Sequence, residues 1–146
     1  MAGARVPTEP ERDEIARKAA YARAELGIRR RTRPRRVVRA IARRITRRRL
    51  ADLTPEEAVA EATELGFLLG EQWRLQFGWR WRYVTDGVWE GYAVTTPDEQ
   101  LVYPCVSRVL TMLADPRAEV NVVTVFKMVA AGNMPPARPS GYQWLS

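Results

Sequence analysis

Hydrophobic and polar positions along the chain follow two different periods, and the change between them organises the sequence. Thr8-Glu9-Pro10-Glu11 combines a cap, a first-turn proline and the acidic residue of a capping box. The helix it opens reaches about residue 26, where Gly27 can stop it. Ile15, Ala19, Ala22 and Leu26 form one narrow apolar stripe along it. Two of those four are alanine, so this helix needs a surface to pack on. A second helix is predicted over residues 33–49, with Pro34 in its first turn. Val37, Val38, Ile41 and Ile45 share one side of it, and Arg36, Arg39, Arg43 and Arg47 the other. Thr54-Pro55-Glu56-Glu57 is the clearest helix start in the chain, and Phe77-Gly78 is its natural end. Val59, Ala62, Leu65, Gly66, Leu69, Trp73 and Gln76 make its predicted buried face. Gly66 and Gly70 each weaken a helix by about 1 kcal/mol relative to alanine. Their presence implies that a sheet aromatic or another helix comes close there.

The period then drops to two. Trp79-Arg80-Trp81-Arg82-Tyr83-Val84 alternates strictly, and Asp86-Gly87 reads as a two-residue hairpin turn. Pairing through that turn sets Trp81 opposite Tyr92 and Trp79 opposite Val94. Pro97-Asp98-Glu99 makes a second turn before a short strand, Leu101-Val102-Tyr103. One face of the meander carries Trp79, Trp81, Tyr83, Tyr92, Val94, Leu101 and Tyr103 and is the predicted core side. The other carries Arg80, Arg82, Val84, Trp89, Ala93 and Val102. Two helices follow, over residues 104–114 and 122–131, the second capped by Asn121. The tail NMPPARPSGYQWLS reads as irregular, yet Tyr142, Trp144 and Leu145 are too apolar to stay free.

Charge is where the composition departs from an ordinary globular chain. Of the 146 residues, 24 are Lys or Arg and 17 Asp or Glu, a net charge of +7. Residues 1–52 hold 17 basic and 6 acidic side chains, while residues 53–146 hold 7 and 11, so +11 and −4 sum to +7. Twelve arginines fall within residues 29–49 alone. Arginine outnumbers lysine 22 to 2, a ratio that a GC-rich coding sequence also produces.

Candidate chemistry is narrowed by what the chain lacks. It has no histidine and a single cysteine, Cys105. That removes histidine-based nucleophilic catalysis, a cysteine-rich zinc site and any intramolecular disulfide. No metal ligand set and no cofactor motif is present. The sequence shows no apolar run long enough to span a membrane and no secretory leader, which fits a cytoplasmic protein. Cys105 opens a predicted helix, where a thiol can be activated, but it reads better as a small buried residue. Asp86 is a turn residue first, and a catalytic pairing with Glu90 has nothing else behind it.

The arginine segment has several readings. It can be a solvated face, or one neutralised by Glu56, Glu57, Glu61, Glu64 and Glu71 of the next helix. It can bind nucleic-acid phosphates through Arg35, Arg36, Arg39, Arg43 and Arg47, without base readout because asparagine and glutamine are missing nearby. Membrane-surface binding would call for Trp, Phe or Leu on the apolar side, where only Val and Ile stand. A partner protein is the remaining option. The interleaved Trp and Arg of residues 79–83 resemble a base-stacking platform. Alternation, however, sends the rings and the guanidinium groups to opposite faces. Trp89, beside Arg80 and Arg82 on the outer face, is the candidate anchor of a protein interface.

From the helix holding Leu65-Gly66-Phe67-Leu68-Leu69-Gly70, through the Trp-bearing strand after Phe77-Gly78, to Val102-Tyr103-Pro104 running into a helix, residues 53–132 resemble the bacterial domain-of-unknown-function family 3806. The resemblance implies a small α+β domain and no residue roles. The sequence therefore predicts an α+β fold. A three-stranded antiparallel meander is packed on helices in residues 53–146, with an irregular tail. Residues 1–52 form a helical, arginine-rich arm that can be cut away. The expected function is a non-catalytic protein-interaction module of bacterial type, adaptor or immunity-like, with a protein partner. The alternative is a nucleic-acid-binding accessory protein using residues 29–49.

Overall fold

The structure, a computed structural model, describes residues 3–135 and 143–145. In chain order its elements are β1 (Gly3–Arg5), α1 (Glu9–Glu25), α2 (Pro34–Arg48), α3 (Pro55–Phe77), β2 (Arg80–Thr85) and β3 (Glu90–Thr95). Then come β4 (Leu101–Tyr103), α4 (Cys105–Ala114), α5 (Val122–Ala130) and β5 (Gln143–Trp144). The fold is α+β. No helix among the described residues is long and apolar enough to cross a membrane.

Both predicted capping boxes are formed. Glu11 N–H donates to Thr8 Oγ1 at 3.3 Å, and Thr8 N–H donates back to Glu11 Oε1 at 2.8 Å. Thr54 and Glu57 repeat the exchange at 3.1 and 3.0 Å. Gly78 ends α3 in the left-handed conformation, with φ +73. Asn121 occupies the N-cap position of α5, but its side chain makes no capping bond.

α3 is the axis of the molecule. Nearly every residue from Leu65 to Trp73 is buried, including Phe67, Leu68 and Gln72, which a single stripe left out. A helix apolar on all sides is covered on all sides. Val59 and Gln76, expected inside, are exposed because both lie beyond this enclosed middle. The two glycines mark the closest approaches. A Cβ on Gly66 would come within 2.6 Å of the Val106 backbone in α4, and one on Gly70 within 2.2 Å of the Trp81 ring. One neighbour is a helix and the other a sheet aromatic, the two kinds of partner that glycine in a helix implied.

The expected meander, β2-β3-β4, is the centre of a five-stranded sheet ordered β1-β2-β3-β4-β5. β1 adds antiparallel to β2, and β5 adds parallel to β4. The hairpin register differs from the sequence reading. Trp81 pairs with Val94 and Tyr83 with Tyr92. The turn centres on Gly87 and Val88, with Asp86 N–H donating to the Trp89 carbonyl at 2.8 Å. This shift moves partners by two positions, so every side chain keeps its predicted face. It also brings the Tyr83 and Tyr92 rings edge to face, 5.1 Å apart. The tail is less irregular than its composition suggests. Leu145 N–H donates to Val102 C=O at 2.8 Å and the Leu145 side chain is buried, while Tyr142 lies outside the described residues.

The core runs without a break across the boundary drawn at residue 52. Ile15, Ala19 and Ala22 of α1 and Val37, Val38, Ile41 and Ile45 of α2 belong to the same buried cluster as Leu65, Trp73, Trp81 and Phe126. Val37, Val38, Ile41 and Ile45 are each fully buried. Residues 3–52 are thus structurally continuous with the rest, through this core and through the β1–β2 pairing.

Candidate nucleic-acid interface

The arginine helix is fastened by one side and bare on the other. Burying two valines and two isoleucines contributes about 1.5–3 kcal/mol each. The like-charged pairs Arg35/Arg39, Arg39/Arg43 and Arg43/Arg47, each four residues apart, oppose the helix by about 0.2–0.5 kcal/mol each. Burial outweighs repulsion several-fold. α2 therefore holds its charges in fixed positions despite their mutual repulsion.

At about 100° per residue, Arg35, Arg39, Arg43, Arg36 and Arg47 fall within an arc of roughly 120°, centred opposite the buried stripe. All five are exposed. Among the described residues none of them forms an ion pair or a side-chain hydrogen bond. From Arg35 to Arg47 the row is about 18 Å long, at 1.5 Å per residue.

The arginines beside the arc are used internally. Arg44 Nε donates to Glu61 Oε1 at 2.7 Å, and Arg48 approaches the same oxygen at 3.5 Å. Arg49 Nη2 donates to the carbonyls of Asp115 and Ala118 at 2.9 and 2.8 Å, tying α2 to the loop after α4. Of the five α3 glutamates that could neutralise the segment, Glu61 alone reaches it among the described residues. Glu57 caps its own helix, and Glu71 pairs with Arg74 and accepts from the Trp81 indole. The Glu64 carboxyl is pushed above its ordinary pKa, first by burial and then by Glu61.

One neighbouring feature was invisible in the sequence. α5 brings Lys127 beside the first turn of α2, where Arg33, Arg35, Gln76 and Lys127 rim a cleft of about 580 Å³. Its floor includes Phe126 and Ala130. Nothing in the spacing of residues 33 and 127 announces that they meet. The one available hint is that Lys127 is one of only two lysines.

The other predicted interface residues are placed differently from one another. Arg80 is exposed. Arg82 donates from Nε to Glu99 Oε2 at 2.8 Å and from Nη1 to its neighbour's carbonyl at 2.7 Å. Trp89 lies over Gly91 and meets Trp144 edge to face at 5.2 Å. The Trp144 indole N–H donates to Asp86 Oδ2 at 3.1 Å. Val84, Ala93 and Val102, around which these rings gather, are fully buried. Trp89 is accordingly half-covered by the chain's own C-terminal strand. Cys105 is fully buried, and burial pushes its thiol pKa up, away from the reactive range. Among the described residues no three Cys, Asp or Glu side chains gather into a metal-binding group.

No family model, no curated protein and no solved structure matches the chain. The resemblance to family 3806 therefore rests on the order of elements alone.

Proposed function

We propose that this is a non-catalytic accessory protein that binds nucleic acid through the phosphate backbone, without sequence preference. The observation that carries the reading is the row of five exposed arginines, without an ion pair among the described residues, on a helix anchored by four buried side chains. Phosphate contacts position a protein on nucleic acid and base contacts specify sequence. The arc supplies the first, and no asparagine or glutamine stands in it to read adenine. The outer sheet face gives weaker support to a protein partner, because Trp89 is packed against Trp144 and Arg82 is paired with Glu99.

The test is an anisotropy titration of a short duplex DNA at several salt concentrations. Wild type is set beside a variant with Arg35, Arg36, Arg39, Arg43 and Arg47 all changed to Gln. Five phosphates neutralised give a slope of log K against log salt near −4.5. From roughly 50 to 200 mM salt that is about a 500-fold loss of affinity. The variant should lose most of both affinity and slope. Equal binding by the two proteins, or a salt-independent affinity, rejects the reading.

A further inference from the structure

The cleft at the start of α2 is continuous with the arginine row, because Arg35 belongs to both. Three cations line it, Arg33, Arg35 and Lys127, and among the described residues no carboxylate does. Among the described residues none of the three forms an ion pair. α2 ends here without a side-chain cap and with no acidic residue in its first turn, so the positive end of its dipole adds to the same field. The Gln76 amide offers both a donor and an acceptor, and Phe126, Ala130 and Ala131 supply the apolar part of the lining. Cations, one amide and apolar lining together match one nucleotide unit, in which a sugar joins a phosphate to a base with apolar faces and hydrogen-bonding edges.

The size of the cleft decides which form of nucleic acid fits. At about 580 Å³ it accommodates a single nucleotide. A base held in a duplex cannot enter without leaving its stack, whereas an unpaired base can. We infer that the cleft seats one unpaired nucleotide of a strand whose backbone lies along α2, so that the protein selects single-stranded over duplex nucleic acid. This rests on the phosphate-binding reading of α2 and adds the class of ligand.

The probes are a fluorescein-labelled oligothymidylate of about 15 nucleotides, near the upper end of typical single-strand site sizes, and a duplex of equal length at the same salt. Wild type should favour the single strand by about ten-fold, the gain of one seated base. Two variants outside the arginine row examine the cleft itself. Ala130→Leu fills it without changing charge, and Lys127→Gln removes one rim cation. Both should bring single-strand affinity down to the duplex value while leaving duplex affinity within about two-fold, since the duplex is held by the arginine row and its paired bases stay out of the cleft. Thymidine monophosphate should compete with the single strand and spare the duplex. Equal affinity of wild type for both probes overturns the inference. So does a single-strand preference that survives both variants. Binding to anionic phospholipid vesicles that Ala130→Leu abolishes, with the strand preference intact, would assign the cleft to a lipid headgroup and also overturn it. Failure of the underlying reading looks different, since duplex binding would then be indifferent to the five arginines and to salt.

Discussion

Replacing Gly70 with alanine tests the central packing of the fold. An added Cβ would lie 2.2 Å from Trp81 Cη2, 2.3 Å from Cζ2 and 3.1 Å from Cys105 Sγ. Carbon atoms settle near 3.5–4.0 Å apart, so the indole must retreat by roughly 1.3 Å or more. It is held in place from two sides. Its Nε1–H donates to Glu71 Oε1 at 3.3 Å, and the Phe67 ring meets it edge to face at 5.7 Å. Overpacking of this kind costs about 1–3 kcal/mol. Alanine in a helix returns about 1 kcal/mol. The contact is so far inside van der Waals distance that the upper part of the first range applies. The expected net destabilisation is about 1–2 kcal/mol. Trp81→Phe removes both clashing ring atoms. In that background Gly70→Ala should be neutral or stabilising, a coupling of about 1–3 kcal/mol between the two sites. Urea unfolding followed by far-UV circular dichroism measures all four proteins, with the denaturant slope serving to confirm an unchanged native state. Gly70→Ala at or above the wild-type midpoint, with additive effects in the double variant, would refute the packing described. Gly78→Ala is the control. Its φ of +73 makes alanine strained there, but no atom lies within 4 Å of the added carbon, so no coupling to Trp81 is expected.

Four other outcomes follow from the structure. Arg5, Tyr92 and the Thr8 backbone, in that order, hold the Glu11 carboxyl well below its ordinary value of 4.5. A depressed carboxylate stabilises above the unfolded pKa, so stability should fall as pH drops below about 4.5, and Glu11→Gln should flatten that slope. Burial and then Glu11 push the Tyr92 phenol up to about 12, so its contribution should persist to about pH 10 and fade from there to about 12. Phenolate absorbance in wild type and Tyr92→Phe checks this. Deletion of residues 1–52 uncovers α3 and removes β1, so residues 53–146 alone should show no cooperative thermal transition; a sharp one would mean that the core is divisible after all. Trp144→Ala removes the ring beside Trp89 and the bond to Asp86, and should red-shift the tryptophan emission. An unchanged spectrum would place Trp89 in solvent already.

Local chemistry was legible in the sequence, and long-range placement was not. The caps at Thr8 and Thr54 and the stop at Gly78 depend on neighbours within four residues, and all formed as read. The faces of β2 and β3 survived because alternation fixes them even when the register moves by two. The turn itself was misjudged because Asp86-Gly87 satisfies the hairpin pattern by composition, while Asp86 accepting from Trp144 is a distant preference. β1 and β5 are three and two residues long, too short to carry a period. The five surface arginines could be named in advance, since the helical period that buries Val37, Val38, Ile41 and Ile45 also fixes what faces away from them. The cleft could not, because it joins residues 33 and 127 only through tertiary packing.

Anchoring changes what an arginine-rich segment can do. A free basic arm must lose conformational freedom when it binds, and it wraps whatever charge it meets. α2 loses its backbone freedom on folding, through four buried side chains, and offers its arginines from an ordered helix. A GC-rich coding bias can account for arginine in place of lysine, but it cannot account for where the counter-ions are missing. Glu61 engages Arg44 and Arg48 on the flank of the helix, while the arc from Arg35 to Arg47 has no acidic partner among the described residues. Unpaired charge is therefore concentrated on the one side of α2 that the core leaves open. A ligand meeting that side meets a slanted row of cations spanning about 18 Å along the helix axis. Such a row favours an extended anion with regularly spaced charge over a compact acidic patch.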